Sequence, residues 1–286
     1  MTSSQTATIG NQWEPPAFHY AMIQAERSCP EAQNGQAEDI LARMERQTPP
    51  ELGEIDWDAE LSGFERIDYP EYYLLPFHSI PGGWLTKMAP LGDRCAMESY
   101  LEGEHPLKSL GVRAEIAKLF PEDARIVVDL GAGTGDSTAA IARRLPNATL
   151  IAVEASPFMI IVGRRQNKDT ANVRWQLGLA EQTGMPDGSV DAINMTYLLH
   201  ECPDQVKAQI LAECLRILKP GGMIVFSDAL NDEPANKRGI LEPFREEWLR
   251  VNPVRLLTDA GFVGVEDRSV SKVLWTKIGF KRPAQG

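Results

Sequence analysis

The stretch Arg125-Ile-Val-Val-Asp-Leu-Gly-Ala-Gly-Thr-Gly-Asp136 decides how this chain folds. An apolar, β-branched run leads into Asp129, and glycines follow at alternate positions, Gly131, Gly133 and Gly135. Ser137-Thr-Ala-Ala-Ile-Ala-Arg comes next. A short apolar run that ends in a glycine turn and resumes as a helix reads as buried strand, tight loop, helix. Glycine lacks a Cβ, so such a loop takes positive φ and lets a ligand approach the backbone. The helix start beyond it offers unpaired N–H groups. A turn of this build holds a nucleotide-like ligand against bare main chain.

The spacing narrows the ligand. A dinucleotide-binding turn carries glycine at its first, third and sixth positions. Counting from Gly131, the sixth position is Asp136, whose carboxylate would oppose a pyrophosphate at the helix N-terminus. No Gly-Lys-Ser/Thr follows, which argues against ATP or GTP. A ligand without phosphates fits better.

Working outward, Leu150-Ile-Ala-Val-Glu154 is a second apolar strand ending in a carboxylate, 19 residues after Gly135. A doubly wound sheet places there the acid that accepts from both ribose hydroxyls. A third block runs Gly178-Leu-Ala-Glu-Gln-Thr-Gly-Met-Pro-Asp-Gly-Ser-Val-Asp-Ala-Ile-Asn194. A fourth runs Leu215-Arg-Ile-Leu-Lys-Pro-Gly-Gly-Met-Ile-Val-Phe-Ser-Asp228.

The segment Asp129-Leu-Gly-Ala-Gly-Thr-Gly135 resembles the first motif of the class I S-adenosylmethionine-dependent methyltransferases. The third block is similar to that family's adenine-side loop and fourth strand. The fourth is similar to its helix end, Lys-Pro-Gly-Gly turn and fifth strand. The resemblance covers residues 108–286. It implies an α/β fold with a Rossmann-like, seven-stranded, mostly parallel sheet that closes in a C-terminal antiparallel hairpin. It implies S-adenosylmethionine as cofactor, held by Asp129, Gly131, Gly133, Gly135, Glu154, Ala180, Glu181 and Asn194. Asp129 either braces the glycine loop or reaches the amino group of the methionine part. Many relatives carry an acid directly after the glycine of the third block, where this chain has Leu179. Glu181 or Gln182 then takes over the adenine amino group, or the loop binds it through backbone alone.

The expected strands fall at about 125–130, 149–154, 173–177, 190–195 and 222–227, alternating with helices at 137–145, 156–166, 204–218, 239–250 and 253–260. Asn252-Pro253 reads as an N-cap followed by proline at the first helical position, and Gly261 as the stop. Residues 263–270 and 272–280 read as the terminal hairpin. Ahead of the core, helices are expected at 36–46, 91–101 and 106–120, and residues 51–90 have little periodicity. This divides the chain into an N-terminal extension, 1–107, helical and irregular, and a methyltransferase core, 108–286.

An acceptor must sit over the transferred methyl, and the extension is the expected lid. Its segment Tyr69-Pro-Glu-Tyr-Tyr-Leu-Leu-Pro-Phe-His-Ser-Ile-Pro-Gly-Gly-Trp84 is rich in aromatics and is similar to a block ahead of this core in some bacterial and plastid methyltransferases. Tyr72, Tyr73 and Trp84 are candidate acceptor-binding residues, their faces suited to an organic molecule and to a sulfonium. The plainer reading is that they cement the segment to the core. Glu201 and His200 follow the fourth strand at the cleft rim. His200 and His78 are the candidate bases.

At 286 residues and 43% hydrophobic, the chain can bury one α/β core plus an appendage. A net charge of −11, from 29 basic and 40 acidic residues, works against a nucleic-acid partner. The polar N-terminus and the lack of any membrane-length apolar run point away from membranes and towards the cytoplasm. Four cysteines (29, 95, 202 and 214) show no metal-ligand spacing and read as reduced thiols, and no metal is called for. The expected function is methyl transfer to a small organic acceptor at O, N or C, by a monomer or homodimer. Methylation of a protein side chain and a catalytically silent S-adenosylmethionine-binding subunit are the alternatives, and an NAD-dependent oxidoreductase comes last.

Overall fold

Strand β1 (Ile126–Leu130) forms where the apolar run is densest, and Val127, Val128 and Leu130 are fully buried. The computed structural model describes residues 55–75, 77, 83–87, 89–90, 108–229, 243–271 and 274–284. Around β1 lie β2 (Thr149–Glu154), β3 (Val173–Leu177), β4 (Val190–Thr196), β5 (Leu218–Ala229), β6 (Val263–Asp267) and β7 (Leu274–Phe280). They make one seven-stranded sheet in the order β3-β2-β1-β4-β5-β7-β6. β1 pairs parallel with β2 and β4, β2 with β3, and β4 with β5, whereas β7 runs antiparallel to both β5 and β6. The expected sheet and terminal hairpin are both present.

Alternation along the strands splits the core in two. Val127, Leu150, Ala192 and Val225 pack on one face against α2 (Lys108–Ala117) and α3 (Asp136–Arg144), through Val112, Ile116, Ala140 and Ile141. Val128, Leu130, Ile193 and Phe226 pack on the other against α5 (Asp204–Ile217), through Val206, Ile210 and Cys214. The period of two in a strand sends neighbours to opposite faces, so one strand feeds both layers. The remaining described helices are α1 (Trp57–Leu61), α4 (Pro157–Gln166), α6 (Arg245–Trp248) and α7 (Pro253–Ala260).

Helix ends follow the sequence signals. Ser156 Oγ accepts from Met159 N at 3.3 Å ahead of Pro157, and Asn252 accepts from Val254 and Arg255 ahead of Pro253. Gly261, at φ 111°, ends α7.

Three expectations change. The Lys-Pro-Gly-Gly segment is not a separate turn before β5. The strand starts at Leu218, and the segment bulges between the pairs Val190↔Leu218 and Ala192↔Met223, with Gly221 at φ 78° taking the bend. The helix expected over 239–250 is the four-residue α6, and its first part lies outside the described residues. Residues 51–90 include a helix, α1, that their weak periodicity did not predict; Asp56 caps it by accepting from Ala59 N. The helices expected at 36–46 and 91–101 lie outside the described residues. No helix among the described residues is long and apolar enough to cross a membrane.

Candidate functional site

The chain leaves β1 to build β2 and β3 on one side and then crosses to β4 on the other. That order opens a crevice at the carboxyl ends of β1 and β4, where open α/β sheets bind ligands. A cavity open to solvent lies there. Gly131 and Gly133 form its floor, at φ 65° and 56°. Val153, Glu154 and Ala155 line one side, with Gly178, Leu179, Ala180 and Glu181 from beyond β3. Tyr197, Leu198, Glu201 and Cys202 line the other. Tyr72, Tyr73, Phe77 and Trp84 close it from the N-terminal segment.

Glu154 is the best-fixed charge in the cavity. Its Oε2 accepts from Gly133 N at 2.8 Å and its Oε1 from Ser156 N at 2.8 Å. The side chain is buried at the end of β2 and still borders the cavity. Two backbone donors hold the carboxylate in place at the cavity wall.

The N-terminal aromatics dock on this same wall. Residues Glu71–Leu74 form a 3₁₀ turn that presents two tyrosines in succession. Tyr72 Oη donates to Glu181 Oε1 at 2.7 Å, and Tyr73 Oη to Glu154 Oε1 at 3.4 Å. Tyr69 Oη donates to the Ala155 carbonyl at 2.7 Å, and Ser156 Oγ to the Trp84 carbonyl at 2.6 Å. Burial is the first cause that raises the phenols of Tyr69, Tyr72 and Tyr73, with neighbouring acids adding to it, so these hydroxyls stay protonated and donate. The aromatic segment therefore both lines the cavity and fastens itself to the wall that carries Glu154 and Glu181.

Three residues expected at the cofactor lie behind the cavity instead. Asp129 is fully buried, accepting from Thr138 Oγ1 at 2.5 Å and from Asn194 Nδ2 at 2.6 Å. Each oxygen takes one of these bonds, which tie β1 to α3 and β4, and burial pushes its carboxyl up. Asn194 is the donor in that bond and does not line the cavity. Gly135 caps α3, and a Cβ built on it would meet the Trp175 ring at 2.7 Å, so packing claims that glycine.

His200 also stands back. Its Nδ1 lies 2.6 Å from Asp228 Oδ1, and its Nε2 lies 3.6 Å from Glu201 Oε1. Asp228 is fully buried and accepts as well from the backbone of Leu199, His200 and Ala229. The 3₁₀ turn Leu199–Glu201 sends the imidazole to this carboxylate and to Trp248, and brings Glu201 to the cavity. His78 lies outside the described residues, as do Cys29 and Cys95. Cys202 and Cys214 are buried free thiols, and burial raises both.

Residues 127–222 match a family described as a methyltransferase domain. A demethylmenaquinone methyltransferase of Tropheryma whipplei (strain Twist) is 34% identical over 124 residues, which are 43% of this chain and 48% of that protein. The ubiquinone/menaquinone biosynthesis C-methyltransferase UbiE of Geobacter sp. (strain M21) is 28% identical over 192 residues, 61% of this chain and 80% of that one.

The chain carries a methyltransferase domain over residues 127–222.

This chain spans about half the length of curated relatives such as the Tropheryma protein. Among solved structures, phosphoethanolamine N-methyltransferase 2 of Haemonchus contortus, in complex with S-adenosyl-L-methionine, matches with a TM-score of 0.53 at 13% identity. The match covers 76% of this chain and 61% of that one, a likeness of fold.

Several residues that build the site were not among those expected from the sequence. Tyr69, Phe77, Tyr197, Leu198, Cys202 and Asp228 all line it or brace it. Only Asp228 carried a usable signal, since it ends an apolar strand as Glu154 does.

Proposed function

We infer that the chain is an S-adenosylmethionine-dependent methyltransferase acting on a small organic acceptor by in-line displacement. The observation that carries this is Glu154, a buried carboxylate locked by Gly133 N and Ser156 N and facing a cavity at the topological switch of the sheet. The residues present fit the cofactor. Glu154 faces the cavity as an acceptor for a ribose hydroxyl, and the floor glycines leave backbone open for close approach. Leu179 and Gln182 bridge the adenine-side loop into a small hairpin, which leaves Ala180 and Glu181 at its tip on the cavity.

When bound, S-adenosylmethionine supplies an electrophilic methyl on a sulfonium. The chain's own residues orient and desolvate. Glu154 fixes the ribose, Gly131 and Gly133 the backbone approach, and Glu181 with the Ala180 backbone the adenine side. Tyr72, Tyr73, Phe77 and Trp84 exclude water and offer π faces to a cation. Positioning of this kind suffices for a substrate with so good a leaving group.

Calorimetric titration with S-adenosylmethionine, S-adenosylhomocysteine and NAD tests the reading. Binding of the first two and not NAD is expected, and acceptors then follow from mass-shift screening. Binding of NAD alone would overturn it.

A further inference from the structure

The wall of the cavity carries information about the acceptor, given the reading above that the cavity takes S-adenosylmethionine. Glu154, Glu181 and Glu201 line it, and among the described lining residues there is no Lys, Arg or His. Glu154 and Glu181 are on the wall that the tyrosines of the N-terminal segment engage. Glu201 is on the other side, past the end of β4, with β1 and its glycine floor between them. Its neighbour His200 is fixed by Asp228, so the carboxylate has a rigid backing.

A second observation concerns Tyr197. It has φ 57°, the only positive φ of a non-glycine residue among those described. The backbone turns there, at the end of β4, and its ring lines the cavity edge-on to His200, with 6.1 Å between centroids. Such strain persists only where the surroundings impose it, and it collects at ligand sites. Together with Tyr72, Tyr73, Phe77 and Trp84, this ring gives the cavity an aromatic lining around its carboxylates.

An anion entering this space meets like charges and finds no Lys, Arg or His among the described lining residues. A protonated amine gains a charge-assisted hydrogen bond and π faces. We propose that the acceptor is an organic amine with an aromatic or apolar body, bound as the ammonium by Glu201. The Glu201 carboxylate takes the proton, which frees the nitrogen lone pair to displace the methyl from the sulfonium and release the neutral thioether S-adenosylhomocysteine. Carboxylates and phosphate esters are excluded as acceptors.

The test uses matched probes, 2-phenylethylamine and 3-phenylpropanoate, titrated calorimetrically into the full chain saturated with S-adenosylhomocysteine. The amine should bind at least about tenfold more tightly than the acid. In Glu201→Gln that preference should vanish, while affinity for S-adenosylhomocysteine stays within about threefold and certifies an intact cavity. Equal binding of the acid, no binding of the amine, or an amine preference that survives in Glu201→Gln would overturn the proposal. Failure of the parent chain to bind S-adenosylhomocysteine would instead overturn the cofactor reading, and this proposal with it.

Discussion

Leu198 lies directly over Gly131: a Cβ built on the glycine would meet Leu198 Cδ1 at 2.8 Å and Cγ at 3.3 Å. The first glycine of the turn is therefore required by the protein's own side chain, as well as by any ligand that approaches the backbone. Its φ of 65° adds a cost for any residue with a Cβ. Gly131→Ala should lower stability by about 1–3 kcal/mol with no ligand present, measured by urea denaturation. Leu198→Ala in the same chain should recover part of the loss, because it removes the clash and leaves the φ cost. A Gly131→Ala chain as stable as the parent would show that Leu198 moves aside freely.

Glu154 has two jobs, and its replacement should report both. Glu154→Ala should weaken S-adenosylmethionine binding by about 1.5–3 kcal/mol, the worth of hydrogen bonds to a charged group. It also strips the Gly133 and Ser156 N–H groups of their acceptor, so the folded chain should lose about 1–3 kcal/mol of stability. Calorimetric titration reads the first and urea denaturation the second. Unchanged affinity alongside reduced stability would reduce Glu154 to a brace for the glycine loop.

These two sites mark what the sequence discloses and what it withholds. Strands β1 and β2 are legible because buried parallel strands need dense apolar runs, and Glu154 is legible because its strand ends in an acid at the right distance from the glycines. The caps at Ser156, Asn252 and Gly261 are local, so local patterns reveal them. Asp129 and Gly135 share the motif with Gly131 and Gly133, yet they face Thr138, Asn194 and Trp175 rather than the cavity. Residue type does not distinguish a glycine that admits a ligand from one that admits an indole. The direction of Tyr72 and Tyr73 depends on docking across more than 80 residues of chain, and no periodicity in 69–84 encodes it. His200 and Glu201 are adjacent in sequence, and only the 3₁₀ turn decides which of them reaches the cavity.

Gly163 offers a case where helix propensity gives the wrong sign. It lies inside α4, where Gly→Ala ordinarily gains about 1 kcal/mol. Here a Cβ would stand 2.3 Å from Trp175 Cη2 and 2.6 Å from Cζ2, beneath a ring that also covers Gly135. Gly163→Ala should therefore destabilise by about 1–3 kcal/mol, the cost of overpacking. Trp175→Leu should suppress the defect, so that the double variant is less impaired than the two single losses added together. A thermal melt in which Gly163→Ala gains stability would show that the indole shifts without cost.

Glu213 should make stability depend on acid pH. Its Oε2 accepts from Arg216 Nε at 2.7 Å, and its Oε1 from Arg216 Nη2 at 2.8 Å and Thr183 N at 2.8 Å. These contacts tie the loop after β3 to α5. The Arg216 guanidinium, with help from Thr183 and against the effect of burial, holds the carboxyl down at about 2 from its ordinary 4.5. A depressed value means that the folded chain binds this proton less readily than the unfolded chain does. The stabilisation is then complete above the unfolded value and drains away as pH falls from 4.5 towards 2. Glu213→Gln removes the charge and one bidentate partner, at a cost of about 1.5–3 kcal/mol near neutrality. In urea titrations the gap between parent and Glu213→Gln should be constant at neutral pH, begin to narrow near the unfolded value and shrink steadily below it. A gap of the same size well below that value would mean that Glu213 contributes through shape and not through charge.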